Sequence, residues 1–364
     1  VTAKCSQGDA DADGTLESTE YKTTTVGITV GDPDTQWAST KTKCFSTSGT
    51  FTGCPSGASQ ITYTAQSDLT SNLGSDRRLL FRRGETFATT TTVTMDDDGP
   101  GMIGAYGTGA KPIFSHNGGG GFSIGNSTPG AMDDWRIVDV QGGGTGGGSD
   151  NGAFSFASNY FNHLLLLRVD VQSMIVFTSA GGTLGSATSD IWDGLFVMDS
   201  TLKGMWTGCS GGAACGDNGI YLTGVRVAAV GNHLDTDQLG EHALRSYAQR
   251  IVYSHNTVED ISPSRAFITM RSFGWDGGGG LPASTYSGLA MVASNRIFGG
   301  GTTGTIGGGP TNQGTDDRSR DLIFERNYVV SSATTNEGIS LTGVQRFTVR
   351  NNILQYSTGG PQTV

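Results

Sequence analysis

From residue 225 to residue 354 the apolar and polar positions repeat one phrase: VRVAAVGNHL (225–234), QRIVYSHNTV (249–258), LAMVASNRIF (289–298), RDLIFERNYV (320–329) and QRFTVRNNIL (345–354). Each is a short apolar run, an asparagine, and a second short apolar run. Asn232, Asn256, Asn295, Asn327 and Asn352 follow one another at steps of 24, 39, 32 and 25 residues. The runs alternate with period two and are rich in Val, Ile and Phe, which predicts strand rather than helix. Steps of this size, with the variation confined to glycine-rich inserts, mark a repeat architecture. Two or three short strands per repeat, with no helical segment, predict an all-β fold, the parallel β-helix. Upstream, the asparagine slot reads as aspartate, at Asp139 in WRIVDVQ, Asp170 in LLRVDVQ and Asp199 in LFVMDST.

Asparagine has a physical role at such a bend. It tolerates left-handed backbone angles, and its amide can continue a hydrogen-bond ladder from turn to turn. On these phrases, residues 76–364 resemble the right-handed parallel β-helix proteins of the pectate-lyase-like superfamily, which have asparagine ladders. SDRRLLFRRGETF (75–87) and MIGAYGTGAKPIFS (102–115) look like the opening turns of its secreted members. The resemblance implies a right-handed solenoid over 76–364 and an activity on polysaccharide. Residues 1–75 are expected to form the N-terminal cap that covers the apolar end of the solenoid. At the other end, only TGGPQTV follows the last full phrase, with no closing helix or polar strand in view.

Composition narrows the function classes. Glycine is 58 of 364 residues and clusters between the predicted strands, so it marks loops rather than disorder. The formal charge is −10 and the pI about 4.9, which argue against nucleic acid as a partner. No lysine follows Lys203. No apolar run reaches membrane-spanning length. The cysteines fall as Cys44 with Cys54 and Cys209 with Cys215, leaving Cys5 with no partner assigned. Two closely spaced pairs suit small disulfide-clipped loops in an oxidising compartment, and Val1 reads as a mature N-terminus after export. The expected location is extracellular or on the cell surface.

Two constellations carry candidate chemistry. In GDADADGTLESTE (8–20), Asp9, Asp11, Asp13, Gly14 and Glu20 match the calcium-loop pattern position for position, with Thr15 placed to give a carbonyl. A solvated acidic tail is the competing reading. The second constellation comes from aligning the turns. Asp217, Glu241 and Glu337 each lie nine residues before Arg226, Arg250 and Arg346. Equal offsets in a solenoid place side chains on one line. His242, Arg245, Arg265 and Arg271 then join Glu241, with Tyr247 and Trp275 offering stacking surfaces and Asp237 and Glu259 near the bends. β-Elimination on a uronic acid would use Arg245 or Arg265 to neutralise the carboxylate and His242 or an arginine as base. Hydrolysis would pair Glu241 with Asp237 or Glu259. The competing reading is a solvated charged edge, where each pair contributes under ~1 kcal/mol. His163, His233 and His255 have no ligand spacing, so no transition-metal site is expected.

The expectation is therefore an extracellular β-helix that binds polysaccharide and cleaves it where this face is catalytic, as lyase or hydrolase. The alternative is a non-catalytic surface protein or a filament subunit that self-associates end to end, since open solenoid ends are templates for another chain.

Overall fold

The computed structural model describes strands 2–6 and 21–25, residues 32–116, and then 121–128, 131–143, 154–155, 161–171, 175–176, 193–203, 219–235, 242–261, 267–271, 288–299, 306–308, 319–331, 339–341 and 344–356. The chain divides into two compact units, residues 1–38 and 39–364. In the first, Thr2–Ser6 pairs antiparallel with Tyr21–Thr25, and a short helix, Pro33–Gln36, is capped by the Asp32 carboxylate, which accepts from Asp34 N at 2.8 Å. The calcium-loop residues Asp9, Asp11, Asp13, Thr15 and Glu20 lie outside the described residues.

The second unit is a parallel β-solenoid. Its strands form a nineteen-stranded network and a separate ten-stranded sheet, with neighbours in parallel register throughout. Leu244–Ser254 shows how one turn is made. Its first half pairs in one sheet, sheet 1, with Ile268–Arg271, and its second half pairs in sheet 2 with Gly288–Ala293. Between the halves Arg250 is left-handed, at φ 53°. His255, at φ 56°, then turns the corner into Thr257–Ile261 on the ten-stranded sheet 3. Both bends recur in every later turn. Arg226, Arg250, Leu289, Asp321 and Arg346 form the first column, and Gly231, His255, Ser294, Arg326 and Asn351 form the second. A non-glycine residue pays roughly 1–2 kcal/mol for this conformation, so it persists only where the surrounding structure imposes it.

The asparagines supply that constraint, from the position just after each corner. Asn232, Asn256, Asn295 and Asn327 are each no more than 1% exposed. Each Nδ2 donates to the Oδ1 of the next asparagine, at 3.0, 2.9, 2.9 and 2.9 Å, ending on Asn352. The second Nδ2 hydrogen goes to a carbonyl of the preceding turn, for example Asn256 to Ala229 at 2.9 Å. Each Oδ1 also accepts the backbone N–H of the preceding asparagine, at 3.0–3.1 Å. Every polar atom of a buried amide is thereby paired, which is the condition for burying it without penalty.

Two sequence expectations are corrected here. The left-handed angle belongs to the residue before the asparagine, not to the asparagine itself. The upstream aspartates do not occupy the ladder slot, which passes through Ser200 and Val169. Ser200 N donates to Asn232 Oδ1 at 3.0 Å, and Val169 N donates to Ser200 Oγ at 3.2 Å. Asp139 and Asp199 are corner residues, at φ 57° and 47°, and Asp170 opens a strand of sheet 3. Arg168, the corner residue after Asp139, donates to its carboxylate at 2.7 and 3.0 Å and holds that group below the usual carboxylate range.

The interior is a single apolar column. In the early turns it is aromatic: Phe45 stacks on Phe81 at 4.7 Å, Phe81 meets Phe114 at 4.7 Å, and Phe114 meets Phe122 at 5.1 Å. Later turns fill it with Leu195, Val227, Ile251, Val292 and Phe324. Parallel pairing already includes Thr42–Ser46 and Ser59–Thr62, upstream of residue 76. The short helix Gln66–Thr70 buries its Leu69 fully in the column. Gln66 pins it by accepting from Thr90 N and Thr91 N at 2.7 and 3.0 Å. The Cys44–Cys54 bridge is formed, as the spacing predicted; Cys209 and Cys215 lie outside the described residues. No described helix is long and apolar enough to cross a membrane.

Glu85 ties the loop after Cys44 to the solenoid. Burial alone would raise its pKa. Hydrogen bonds from Ser48 Oγ at 2.6 Å, Thr47 N at 2.6 Å, Arg82 at 2.8 Å and Ser46 Oγ at 3.1 Å outweigh burial and bring it down to about 2. A lowered folded pKa means stability that is present above the unfolded value, about 4.3, and lost as pH falls towards 2. At neutral pH this favours the folded state by about 1–2 kcal/mol once solvent screening is counted. Acid unfolding followed by circular dichroism should therefore show a steep loss between about pH 4 and pH 2 that Glu85→Gln flattens. Equal acid sensitivity in the two proteins would remove this role.

Candidate functional site

Of the residues expected to carry chemistry, Asp237, Glu241, Arg265 and Trp275 lie outside the described residues. Of the others, Arg245, Tyr247 and Arg271 lie on two paired strands of sheet 1 with His242 just before the first, while Glu259 lies on sheet 3. Register places Arg245 opposite Thr269 and Tyr247 opposite Arg271. Leu244 and Ser246, the alternate positions, point into the column and are fully buried. Arg245 therefore stands on the outer side, yet it is only 9% exposed, Thr269 is 7% and His242 is 2%. These are not surface charges. The competing reading of a solvated charged edge does not hold for His242 and Arg245: the outer side of sheet 1 is covered at this point, and a charge so placed is kept by its partners rather than by water.

Arg226, Arg250 and Arg346 share one column of left-handed positions. Arg226 makes a paired contact with the Asp193 carboxylate one turn back. Arg346 does the same to Asp321, at 2.6 and 2.7 Å. Asp217, Glu241 and Glu337 lie outside the described residues. Among the described residues no group of three His, Cys, Asp or Glu side chains is arranged to hold a metal ion.

A more accessible constellation lies on the outer face of sheet 3. Counting from each ladder asparagine, the second residue points inward: Leu234, Val258, Ile297 and Val329 are at most 1% exposed. The first and third residues therefore face out. They are His233 and Asp235, Thr257 and Glu259, Arg296 and Phe298, Tyr328 and Val330, and, in the last turn, Ile353 and Gln355. His233 Nε2 lies 3.1 Å from Glu259 Oε2, both side chains being well exposed. Asp235 is the register partner of Glu259, one inter-strand step of ~4.8 Å away. A β-bulge falls between Val258 and Ile261, so the strand carrying Glu259 is locally re-aimed. In the next turns the Arg296 guanidinium sits 5.5 Å over the Phe298 ring, Phe298 meets Tyr328 edge-on at 5.8 Å, and Tyr328 donates to Gln355 Oε1 at 3.4 Å.

The face thus offers carboxylates, an imidazole, a guanidinium and two aromatic rings along one line. Such a strip bonds hydroxyl groups through its planar polar side chains and covers C–H faces with its rings. Sequence reasoning missed it because Glu259 was read as lying near a bend and His233 only as lacking metal-ligand spacing. The signal was nonetheless present, at the first and third positions after each ladder asparagine.

No family model and no curated protein matches this chain. Among solved structures it is similar to ORF18 of Geobacillus virus E2, with a TM-score of 0.44 and 10% identity over 94% of this chain and 67% of that one. A likeness so remote carries no functional argument.

Proposed function

We propose that this protein binds polysaccharide along the outer face of sheet 3, as an extracellular or cell-surface β-solenoid. The observation that carries the reading is the run of exposed polar and aromatic side chains over consecutive turns, from the His233–Glu259 pair to Phe298 and Tyr328. A ligand that repeats along its length suits a surface that repeats along its axis, and contacts from several turns sum where one turn would bind weakly. The Cys44–Cys54 bridge supports an oxidising compartment. The resemblance to pectate-lyase-like proteins supplies the ligand class. The lyase or hydrolase chemistry expected of Glu241, His242, Arg245 and Arg265 is a separate question from binding.

Native-gel affinity electrophoresis tests the reading, with neutral, amino-bearing and uronate polysaccharides cast in the gel. At least one class should retard the protein, and Glu259→Ala with Tyr328→Ala should abolish the retardation. Both side chains lie on the outer surface, so the double variant should stay folded, losing about 1–2 kcal/mol through the Phe298–Tyr328 pair. Migration unaffected by all three classes, or undiminished retardation of the double variant, would overturn it. Reducing-end and unsaturated-uronate assays on the same polysaccharides report cleavage independently.

A further inference from the structure

We propose that the outer face of sheet 2 is a contact surface between copies of this chain, which pack side by side. The first turns show what this face requires. Cys44, Leu80 and Tyr106 point outward from sheet 2 and are no more than 5% exposed, because Phe51 and Cys54 of the disulfide-closed loop and Ala58 just after it pack against them. Here the outer side of the sheet is a second apolar core, not a solvated surface.

The apolar rows continue past that loop. One outward row runs through Leu165, Phe196, Ala228, Val252, Met291 and Ile323, linked turn by turn through the sheet register. The neighbouring row carries Leu167, Met198 and Val230. Ala228 apart, these side chains are half-buried, rising to 37% exposure at Ile323, with Leu289 at 57% beside it. Leu289, Met291, Ile323 and Phe347 line a depression of about 500 Å³ at the C-terminal end of the strip. Among the described residues the equivalent outward rows of sheet 3 are largely polar, so the apolar character distinguishes this face from that one.

The partner most consistent with the surface is a second copy. The face from Asp133–Val138 to Val344–Arg350 spans roughly seven inter-strand steps of ~4.8 Å, and six residues at ~3.3 Å set its width. The product, about 700 Å², is close to the ~800 Å² per partner that stable interfaces bury. A second solenoid brings the same period, so its rows can seat between these, as in face-to-face sheet packing at ~10 Å. Along the kink Arg226 pairs with Asp193 and Arg346 with Asp321 within one chain, and His163 Nδ1 lies 2.7 Å from Asp133 Oδ1. They form the polar rim of an interface and do not repel a like face. The contact is lateral, distinct from the end-to-end association expected of an open solenoid end.

Sedimentation velocity at micromolar concentration tests the proposal. The wild-type chain should sediment with the mass of two or more copies, and Phe196→Asp with Met291→Asp should reduce this at least two-fold, to one copy, with unchanged circular dichroism. A photo-crosslinking residue at Val252 avoids any effect on folding. It should join two chains, whereas the same residue at Thr257 on sheet 3 should not. A wild-type protein of single-chain mass, an oligomer indifferent to both substitutions, or equal crosslinking from the two positions would overturn the proposal. So would a monomer that floats with neutral lipid vesicles, which would assign the strip to a membrane surface.

Discussion

Replacing Asn295 by leucine should destabilise the solenoid by about 3–5 kcal/mol, read from the denaturant midpoint. The magnitude follows from what the amide does. Its Oδ1 accepts Asn256 N and Asn256 Nδ2 at 3.1 and 2.9 Å, and its Nδ2 donates to Tyr253 O and Asn327 Oδ1 at 2.9 Å each. Leucine is of similar size, so no large cavity opens, but two donors and two acceptors are stranded in a region at most 1% exposed around the ladder. Each orphaned group costs about 1–3 kcal/mol, partly recovered by relaxation. Asn352→Leu is the internal control. Its amide is half-buried in the last described turn and carries no further rung among the described residues, so the loss should be markedly smaller. Equal losses at the two positions would mean that the ladder has no particular role in stability.

The contrast between ladder and corner shows what the chain discloses. The ladder was legible because its chemistry is exacting: a side chain that accepts from one turn and donates to the next must be the same amide each time, so the residue type repeats. The corner makes no such demand. Gly231, His255, Ser294, Arg326 and Asn351 share a backbone angle and nothing else, so no residue type marks the position. Asp139 and Asp199 were misplaced for that reason, being polar residues one step from a polar slot. Register in a strand is set by counting, and an error of one residue exchanges the two faces.

The candidate site was legible in its inward half only. Apolar alternation locates Leu234, Val258, Ile297 and Val329, and through them the outward His233, Glu259, Phe298 and Tyr328. It does not say whether an outward face meets water. That depends on loops far away in sequence. The Cys44–Cys54 loop buries Leu80 and Tyr106 on sheet 2, and the outer side of sheet 1 is buried around Arg245, while His233 and Glu259 on sheet 3 stay open. Alanine at His242 or Arg245 is therefore expected to affect stability as well as any chemistry. Only the conservative exchanges His242→Gln and Arg245→Lys can separate the two.

The second large effect lies at the other end of the molecule. Phe81→Ala should cost about 3–5 kcal/mol, through lost transfer energy and the cavity left behind. Phe81 is fully buried and holds three rings together: Phe45 stacked at 4.7 Å, Phe87 edge-on at 4.9 Å and Phe114 edge-on at 4.7 Å. Each aromatic pair adds about 0.5–1.5 kcal/mol beyond area alone. The solenoid also determines where the loss is felt. Turns touch only their neighbours, so a defect in one turn lowers the stability of that turn and those it supports, not of the whole chain uniformly. Hydrogen exchange should therefore accelerate across Thr42–Ser46, Arg78–Arg82 and Gly101–Tyr106, while Ser319–Glu325 exchanges as in the wild-type protein. Phe81→Leu, which keeps most of the volume, should recover more than half of the loss. Uniform acceleration along the chain would show that the solenoid unfolds as one cooperative unit, and that its aromatic column and its asparagine ladder stabilise a single transition.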